Sequence, residues 1–325
     1  MEIKGFTYGF DAGRADYRSP EAVDSMEKLA ATGAEWACLA FIVYQERYNS
    51  TEIMFDFKDG VTDKDLTFAI NKFHELGMKV CLKPVINCRD HVWRARIEFP
   101  DDSDAGTDEY WNKWFSHYQA FLCHYAEIAA DTGCEMFCVG CEMGGTERKE
   151  AHWRDTIAQV KEIYKGPLTY NTNHGHEEQV KWFDAVDIIG VSGYYPLTEE
   201  SDGPPVVTDE ETMYNSWCEK RDFLKELSEK WNKKVMFAEV GIRSAAGCAC
   251  MPWDYLHRDL PYSEEEQANF YSSCLRAFAN EPWFAGFFWW EWNTRLYPLE
   301  KAKTNKGFGI YGKKAEAVLR EWYKK

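Results

Sequence analysis

The chain has 325 residues and a formal net charge of −16, an excess of acidic side chains that argues against nucleic acid and anionic membranes as partners. The sequence contains neither an apolar run long enough to cross a bilayer nor a charged and apolar leader before the first predicted strand, so we expect a cytoplasmic protein. Its 11 cysteines lack the spacing of a disulfide framework, which predicts reduced thiols packed as small apolar residues. Aromatic residues make up 16% of the chain, an amount that core packing and sugar-stacking surfaces could each explain.

A repeated unit of amphipathic helix, glycine and short apolar strand runs along the chain. The predicted strands start near Ile3, Trp36, Lys79, Met136, Leu168, Asp187, Lys234 and Ala285. The predicted helices lie near 20–32, 62–76, 108–132, 147–164, 177–183, 210–231, 263–279 and 313–322. Eight such units predict a (β/α)8 TIM barrel, an α/β fold that forms one catalytic domain over residues 1–325. An open doubly wound sheet ranks second, because residues 9–13 match its glycine-rich phosphate turn poorly.

The longest non-helical segments, residues 45–60, 87–107, 196–209 and 243–262, all follow predicted strands. In a (β/α)8 barrel these loops share the C-terminal face, where active sites are built. We therefore expect the functional side chains at the strand ends.

Two short apolar strands each end in a glutamate, Glu142 and Glu239. A carboxylate at the end of a buried strand is costly unless it is paired or functional. The fourth and seventh strands of a barrel face each other. Their ends could bring two carboxylates to the separation of about 5–5.5 Å found in retaining glycosidases, rather than the 6.5–9.5 Å of inverting ones. The alternative is that each glutamate forms a rim ion pair with a nearby Lys or Arg.

Several strand-end segments together resemble a known family. They are residues 5–9, Leu82-Lys83-Pro84 with Asn87, Gly140-Cys141-Glu142, Tyr194-Tyr195-Pro196, residues 238–241 with Arg243, and Trp289-Trp290. Over nearly its whole length the chain resembles clan A of the glycoside hydrolases and, within it, family 113, which contains β-mannanases and β-mannosidases. The resemblance implies that Glu142 is the acid/base and Glu239 the nucleophile.

One position departs from the clan pattern. Many clan members have Asn directly before the acid/base, where it contacts the sugar 2-hydroxyl, whereas this chain has Cys141. A thiol is a weak hydrogen-bond donor. We therefore expect the 2-hydroxyl contact to be weaker or to come from one of three other side chains, which are Asn87, Asn171 and Asn173.

Other strand-end residues receive roles from their chemistry. We expect the hydroxyl of Tyr195 to donate to the nucleophile, with Tyr194 as the alternative. Lys83 lies inside a predicted strand, where its charge is costly unless it meets a carboxylate or a sugar hydroxyl. Trp290 is the predicted platform under the bound sugar, since apolar sugar faces stack on indole rings.

The remaining charged strand-end residues receive supporting or rival roles. Arg243 is predicted to pair with the seventh-strand glutamate, and Glu291 is the main rival to either catalytic assignment. His91, His174 and His176 lack a spacing typical of metal ligands, so we predict neither a metal nor a cofactor.

The preferred interpretation is a retaining β-glycoside hydrolase that cleaves β-1,4-linked manno-oligosaccharides by a two-glutamate double displacement. Its predicted partner is a short, soluble oligosaccharide. The Cys141 departure supports a first alternative, the same chemistry on xylosides, glucosides or galactosides. A non-catalytic sugar-binding barrel is a second alternative, which needs the aromatic platform but not the two carboxylates.

Overall fold

A computed structural model describes residues 1–56, 58–101, 108–200, 203–255 and 259–324. Parts of the four long loops predicted from the sequence, at 57, 102–107, 201–202 and 256–258, lie outside these ranges. Eight parallel strands close into a barrel through pairings of the first strand with both the second and the last. They are β1 (Ile3–Tyr8), β2 (Trp36–Gln45), β4 (Lys79–Cys88), β5 (Met136–Cys141), β6 (Leu168–Asn173), β7 (Ile188–Ser192), β8 (Lys234–Val240) and β9 (Phe284–Trp292). The predicted (β/α)8 barrel is confirmed, and the short antiparallel strand β3 (Ile53–Met54) on β2 was not anticipated.

The helices surround the barrel. They are α1 (Pro20–Ala30), α2 (Asp63–Glu75), α3 (Glu109–Thr132), α4 (Gly144–Glu147), α5 (Glu150–Ile163), α6 (Glu210–Trp231), α7 (Glu264–Phe278) and α8 (Lys314–Tyr323). Polar side chains begin several of them: Ser19 caps α1 and Thr62 caps α2 by accepting backbone N–H bonds. None of the helices in the described ranges is long and apolar enough to span a bilayer.

The helix predicted over 177–183 is wrong. In the structure this segment forms turns, followed by a short 3₁₀ turn at Phe183–Ala185. Its side chains make tertiary contacts instead: Glu177 accepts a hydrogen bond from Tyr195, and Trp182 stacks on Trp153 with ring centroids 4.7 Å apart. A seven-residue helix is marginal by itself, so these contacts decide the backbone conformation.

The core has two layers, one inside the barrel and one between the strands and the helices. The inner layer contains Ile3, Trp36, Cys38, Cys81, Met136, Cys138, Met236, Ala238, Ala285 and Phe288. The outer layer is rich in fully buried aromatic rings, including Trp111, Trp153, Trp182 and Trp217. All 11 cysteines are free, as predicted, and core packing accounts for much of the aromatic content.

Candidate active site

An irregular backbone aims Glu142, which directly follows β5. Cys138 pairs with Thr169 of β6, whereas Cys141 pairs with Asn171, so β5 contains one extra residue between these pairs. A bulge of this kind redirects the side chains that follow it. Glu142 has a φ of 53°, in the left-handed region that non-glycine residues rarely adopt, and its N–H donates to the carbonyl of Asn171 at 2.7 Å. Such strain is concentrated at functional sites.

The carboxylate of Glu142 is bound by Arg94, a residue that the sequence analysis did not identify. Nη2 of Arg94 donates to Oε2 of Glu142 at 2.8 Å. The same guanidinium donates from Nη1 to Oδ1 of Asn87 and from Nε to the carbonyl of Cys141, both at 3.0 Å. Arg94 is only 9% exposed, so three acceptors compensate its buried charge and fix its position.

Two glycines after Glu142 allow neighbouring loops to approach it closely. A Cβ atom on Gly145 would lie 2.3 Å from the carbonyl oxygen of Ile97, in the loop that carries Arg94. A Cβ atom on Gly144 would lie 3.3 Å from Nδ1 of His176, in the loop after β6. Helix α4 therefore packs between these two loops, which brings both of them against the end of β5.

Glu239 lies near the end of β8. The pairing register between β7 and β8 shifts just before it, as the register between β5 and β6 does before Glu142. Glu239 is 4% exposed and accepts hydrogen bonds on both carboxylate oxygens. Oε1 accepts from Nζ of Lys83, from Sγ of Cys141 at 3.3 Å and from Nδ2 of Asn171 at 3.4 Å. Oε2 accepts from the hydroxyl of Tyr194 at 3.3 Å. The charge of Lys83 inside β4 thus meets a carboxylate, one of the two partners expected for it.

These surroundings keep Glu239 ionised. Burial acts to raise its pKa, but the charges of Lys83 and then Arg94, with hydrogen bonds from Lys83 and Cys141, outweigh burial and lower the pKa below the ordinary value. Burial raises the pKa of the Tyr194 hydroxyl and of the Cys141 thiol, so both keep their protons and act as donors.

One network connects the two glutamates. Nη2 of Arg94, which binds Glu142, lies 3.6 Å from Sγ of Cys141, and this thiol contacts Glu239. Asn171 donates to the same sulfur at 3.2 Å. The ends of β4, β5, β6 and β8 therefore bring two carboxylates and two cations together at the C-terminal face of the barrel, an arrangement suited to acid/base and nucleophilic chemistry.

The comparisons with known proteins agree with this geometry. Residues 6–313 match the sequence model of Glycoside Hydrolase Family 113. The chain belongs to this family, and it is a glycoside hydrolase. A search of curated proteins gave no match.

Three solved family 113 structures are similar to this chain over nearly their whole lengths. The β-mannanase AaManA from Alicyclobacillus acidocaldarius, in complex with ManMIm, is 40% identical with a TM-score of 0.89, covering 99% of this chain and 97% of its own. A β-1,4-mannanase is 35% identical with a TM-score of 0.90, covering 99% of both chains. A complex of a β-1,4-mannanase is 36% identical with a TM-score of 0.89, covering 100% of this chain and 99% of its own.

Two adjacent tyrosines in this family 113 chain have different partners, and the prediction for Tyr195 is wrong. Its hydroxyl donates to Glu177, while Tyr194, the alternative, donates to Glu239. Both follow β7, where strand alternation no longer fixes which side chain points into the barrel mouth. Glu177 was missed because it lies in the segment predicted as a helix after β6 and carries no motif.

One further expectation about a polar partner needs correction, and one predicted residue has a partner that was not anticipated. The structure pairs Arg243 with Asp254 at 2.9 Å, while the cation beside Glu239 is Lys83. The side-chain oxygen of Asn87 accepts a hydrogen bond from Arg94, and the contact of Asn87 with the sugar stays a prediction.

Three predicted residues lie at the strand ends outside the network around Glu239. Asn173 is half-buried at the end of β6, where its carbonyl accepts the N–H of His176. Trp290 is half-buried near the end of β9, with Phe10 edge-on at 4.9 Å between ring centroids. Burial, and then the nearby Asp11, raise the pKa of Glu291 to about 7, so this rival carboxyl lacks the cationic surroundings of Glu239.

Proposed function

We propose that this family 113 enzyme hydrolyses β-1,4-linked manno-oligosaccharides with retention of configuration, with Glu239 as nucleophile and Glu142 as acid/base. One observation carries the assignment. Glu239 is buried yet accepts hydrogen bonds from Lys83, Cys141, Asn171 and Tyr194, an environment that keeps a nucleophile ionised and oriented. The choice of mannosides is supported by the similar family 113 structures, which are described as β-mannanases.

In the first step, the carboxylate of Glu239 attacks the anomeric carbon while the protonated carboxyl of Glu142 gives its proton to the glycosidic oxygen. The bond from the anomeric carbon to the leaving oxygen breaks, and a glycosyl ester on Glu239 forms. Arg94 contacts Oε2 of Glu142, so we assign the proton transfer to Oε1.

In the second step, Glu142 acts as a base. Its carboxylate takes a proton from water, the water oxygen attacks the anomeric carbon, and the ester bond to Glu239 breaks. Lys83 and Tyr194 stabilise the carboxylate that leaves. The two inversions together give net retention.

Asn171 is the strongest of the three candidates for the sugar 2-hydroxyl contact. Its amide lies between Sγ of Cys141 and Oε1 of Glu239, at 3.2 and 3.4 Å, and its own oxygen accepts from Ser192 at 3.3 Å. Asn87 is bound to Arg94 instead. Trp290 is the proposed platform on the nucleophile side, since Val240, next to Glu239, pairs with Trp289.

The reaction is tested with manno-oligosaccharides, with a panel of nitrophenyl glycosides and by NMR of the first anomer released. We expect hydrolysis of the mannosides, initial release of the β-anomer, and loss of turnover in Glu239→Gln. Glu291→Gln is the matched control at a neighbouring strand end and should keep measurable turnover. Initial α-anomer, or near wild-type kcat in Glu239→Gln, would refute the mechanism. Cleavage of xylosides, glucosides or galactosides without mannosides would change the substrate, and binding without hydrolysis would favour the non-catalytic alternative.

A further inference from the structure

Two consecutive hydrogen bonds to β6 hold the backbone at Glu142. The N–H of Glu142 donates to the carbonyl of Asn171 at 2.7 Å, and the N–H of Met143 donates to the hydroxyl of Tyr170 at 3.2 Å. Met143 is only 1% exposed, so its N–H would be costly to leave without an acceptor. A side chain therefore fixes the residue that directly follows the left-handed conformation of Glu142.

Tyr170 contacts the bulged end of β5 on both sides of Glu142. A Cβ atom on Gly140 would lie 2.8 Å from Cε2 of Tyr170, so the glycine makes room for the ring. The ring thus packs against the strand before Glu142, and the hydroxyl binds the backbone after it. Trp153 and Trp182 hold the ring in place, with ring centroids 5.1 and 4.7 Å from that of Tyr170.

Glu147 of helix α4 fixes the direction of the Tyr170 hydroxyl. Oε1 of Glu147 accepts from the hydroxyl of Tyr170 at 2.7 Å and from the hydroxyl of Thr172 at 3.0 Å. Burial, and then the charge of Glu147, raise the pKa of Tyr170, so this hydroxyl keeps its proton. Because the proton points to Glu147, a lone pair of the hydroxyl oxygen is left to accept the N–H of Met143.

Glu147 is buried although it takes no part in the two chemical steps, and burying a carboxyl group is costly. It is 1% exposed, and its Oε2 has no hydrogen-bond partner within the described ranges. Nδ1 of His176 lies 3.8 Å from this oxygen, which is beyond hydrogen-bond distance. Both hydrogen bonds of the side chain therefore go to β6, and they connect α4 to the strand that holds Glu142.

We propose that Tyr170 and Glu147 are positioning residues for the acid/base. Glu147 orients the hydroxyl of Tyr170, and this hydroxyl holds the backbone that directs the carboxyl group of Glu142 to the glycosidic oxygen. Both side chains are fully buried, so they act through Glu142 rather than on the substrate. Arg94 binds the carboxyl group itself, whereas this pair acts on the backbone. The proposal rests on the proposed function, because it takes Glu142 as the acid/base.

Tyr170→Phe keeps the ring and removes the hydroxyl. We expect kcat/KM on manno-oligosaccharides to fall about tenfold, as for a slightly misplaced catalytic group. Formation of the glycosyl ester from dinitrophenyl β-mannoside should change little, because its leaving group needs no proton. Tyr164→Phe is the matched control, since its buried hydroxyl donates at 2.7 Å to the carbonyl of Cys134, just before the opposite end of β5. The control should lower the urea midpoint to a similar degree and leave both rates unchanged.

Two variants of Glu147 test the hydrogen bond to Tyr170 from its other end. Glu147→Gln keeps an oxygen that can accept from the hydroxyl, so it should retain most of the activity on manno-oligosaccharides. Glu147→Ala removes the acceptor and should lose about as much as Tyr170→Phe, again with little change on dinitrophenyl β-mannoside. A loss in Glu147→Gln as large as that in Glu147→Ala would refute the orienting role of the hydrogen bond.

The sharpest test combines Tyr170→Phe with Glu142→Ala. A residue that acts only through Glu142 has nothing to position in this background, so the double variant should be no slower on manno-oligosaccharides than Glu142→Ala alone. A further tenfold loss in the double variant would overturn the proposal, as would an unchanged rate or an equal loss on both substrates in Tyr170→Phe, and the proposed function would stand. An equal loss on both substrates in Glu142→Ala itself would refute the proposed function, and this proposal with it.

Discussion

The two glutamates of the site have contrasting surroundings. Glu239 accepts hydrogen bonds from four side chains, one of them the cation of Lys83, and its pKa is lowered despite burial. Glu142 has a φ of 53° at the end of a bulged strand and is bound through one oxygen by Arg94. The surroundings of Glu239 keep its carboxylate ionised, whereas those of Glu142 hold its carboxyl group in one position.

This contrast corresponds to the two roles of a retaining glycosidase. A nucleophile must be ionised whenever substrate arrives, so many donors around it are an advantage. An acid/base must gain and lose a proton in each cycle, so saturating both of its oxygens with donors would hinder it. The same barrel supplies both environments because different elements deliver the hydrogen-bond donors. The donors to Glu239 come from β4, β5, β6 and the segment after β7. The donor to Glu142 comes from the loop after β4.

The largest expected effects come from replacing the two glutamates by alanine. The two variants should differ in how their activity depends on the leaving group of the substrate. Glu142→Ala should lose about 10²–10⁴-fold in kcat/KM on manno-oligosaccharides, which need protonation of the leaving oxygen. It should lose little on the formation of the glycosyl ester from dinitrophenyl β-mannoside, whose leaving group needs no proton. Glu239→Ala should lose activity on both. Burst kinetics with the aryl substrate and steady-state rates with the oligosaccharide measure the difference.

Azide provides the control for this pair of variants. Because a small anion can take the place of the base-activated water, azide should restore turnover of the aryl substrate in Glu142→Ala and yield β-mannosyl azide. The assignment of the two roles would be reversed if Glu239→Ala gave this β-product and Glu142→Ala did not.

Lys83→Met should have the next largest effect, since it leaves the buried charge of Glu239 without its closest cation. We expect a loss of about 3–5 kcal/mol in the free energy of unfolding at neutral pH. Without Lys83, burial prevails and the pKa of Glu239 rises, so the acidic limb of kcat/KM should move to higher pH. Urea unfolding and pH–rate profiles measure these changes.

The sign of the pH dependence gives a second readout for Lys83. In the wild type the pKa of Glu239 is lowered, so its contribution to stability is present at neutral pH and is lost as the pH falls through the folded-state pKa. In Lys83→Met the pKa is raised instead, so stability should fall as the pH rises from acid to neutral. Lys28→Met, which removes the exposed pair with Asp24, should change neither property appreciably. Equal behaviour of the two variants would contradict the role of Lys83.

Arg94→Met should act through the position of Glu142. We expect a loss of about 10²-fold in kcat/KM on manno-oligosaccharides, as for a misplaced catalytic group, and a much smaller loss on dinitrophenyl β-mannoside. Arg94→Lys keeps the charge but cannot reach Asn87, Cys141 and Glu142 with one planar fork, so it should recover only part of the activity.

A surface variant provides the comparison for Arg94. Arg154→Met removes an exposed arginine that binds Glu150 and Asp184, and it should leave both substrates unaffected. An equal loss on the two substrates in Arg94→Met would show that Arg94 acts on the whole site rather than on the acid/base.

The sequence predicts the barrel well because most strands are short apolar runs followed by a helix, and several of these helices begin at a polar capping residue. It also predicts that Glu142 and Glu239 lie at strand ends, and this follows from the strand assignment alone. The orientation of Glu142 depends on a bulge between β5 and β6, and the signal for it in β5 is one residue, Gly140, inside the irregular stretch. The helix predicted over 177–183 fails because tertiary contacts of Glu177 and Trp182 override local propensity.

Arg94 could not have been found from the sequence by the same reasoning. It lies in a long loop after β4, without periodicity or a motif, and Gly145 allows that loop to approach the end of β5. The signal that was available is Asn87, since a polar residue directed into the barrel mouth has to bind something. We expected only a sugar contact for it, whereas its side-chain oxygen accepts a hydrogen bond from Arg94.

The smallest expected effect distinguishes the two adjacent tyrosines. Tyr194→Phe removes a 3.3 Å hydrogen bond to Glu239, so we expect about a fivefold loss in kcat, near 1 kcal/mol, and a small upward shift of the acidic limb. Tyr195→Phe removes the side-chain donor of the buried Glu177, so it should cost about 1–3 kcal/mol in the free energy of unfolding with little change in that limb. Urea unfolding and pH–rate profiles of both variants test this crossed pattern. If Tyr195→Phe moved the acidic limb and Tyr194→Phe did not, the hydroxyl that supports Glu239 would be that of Tyr195, as first predicted from the sequence.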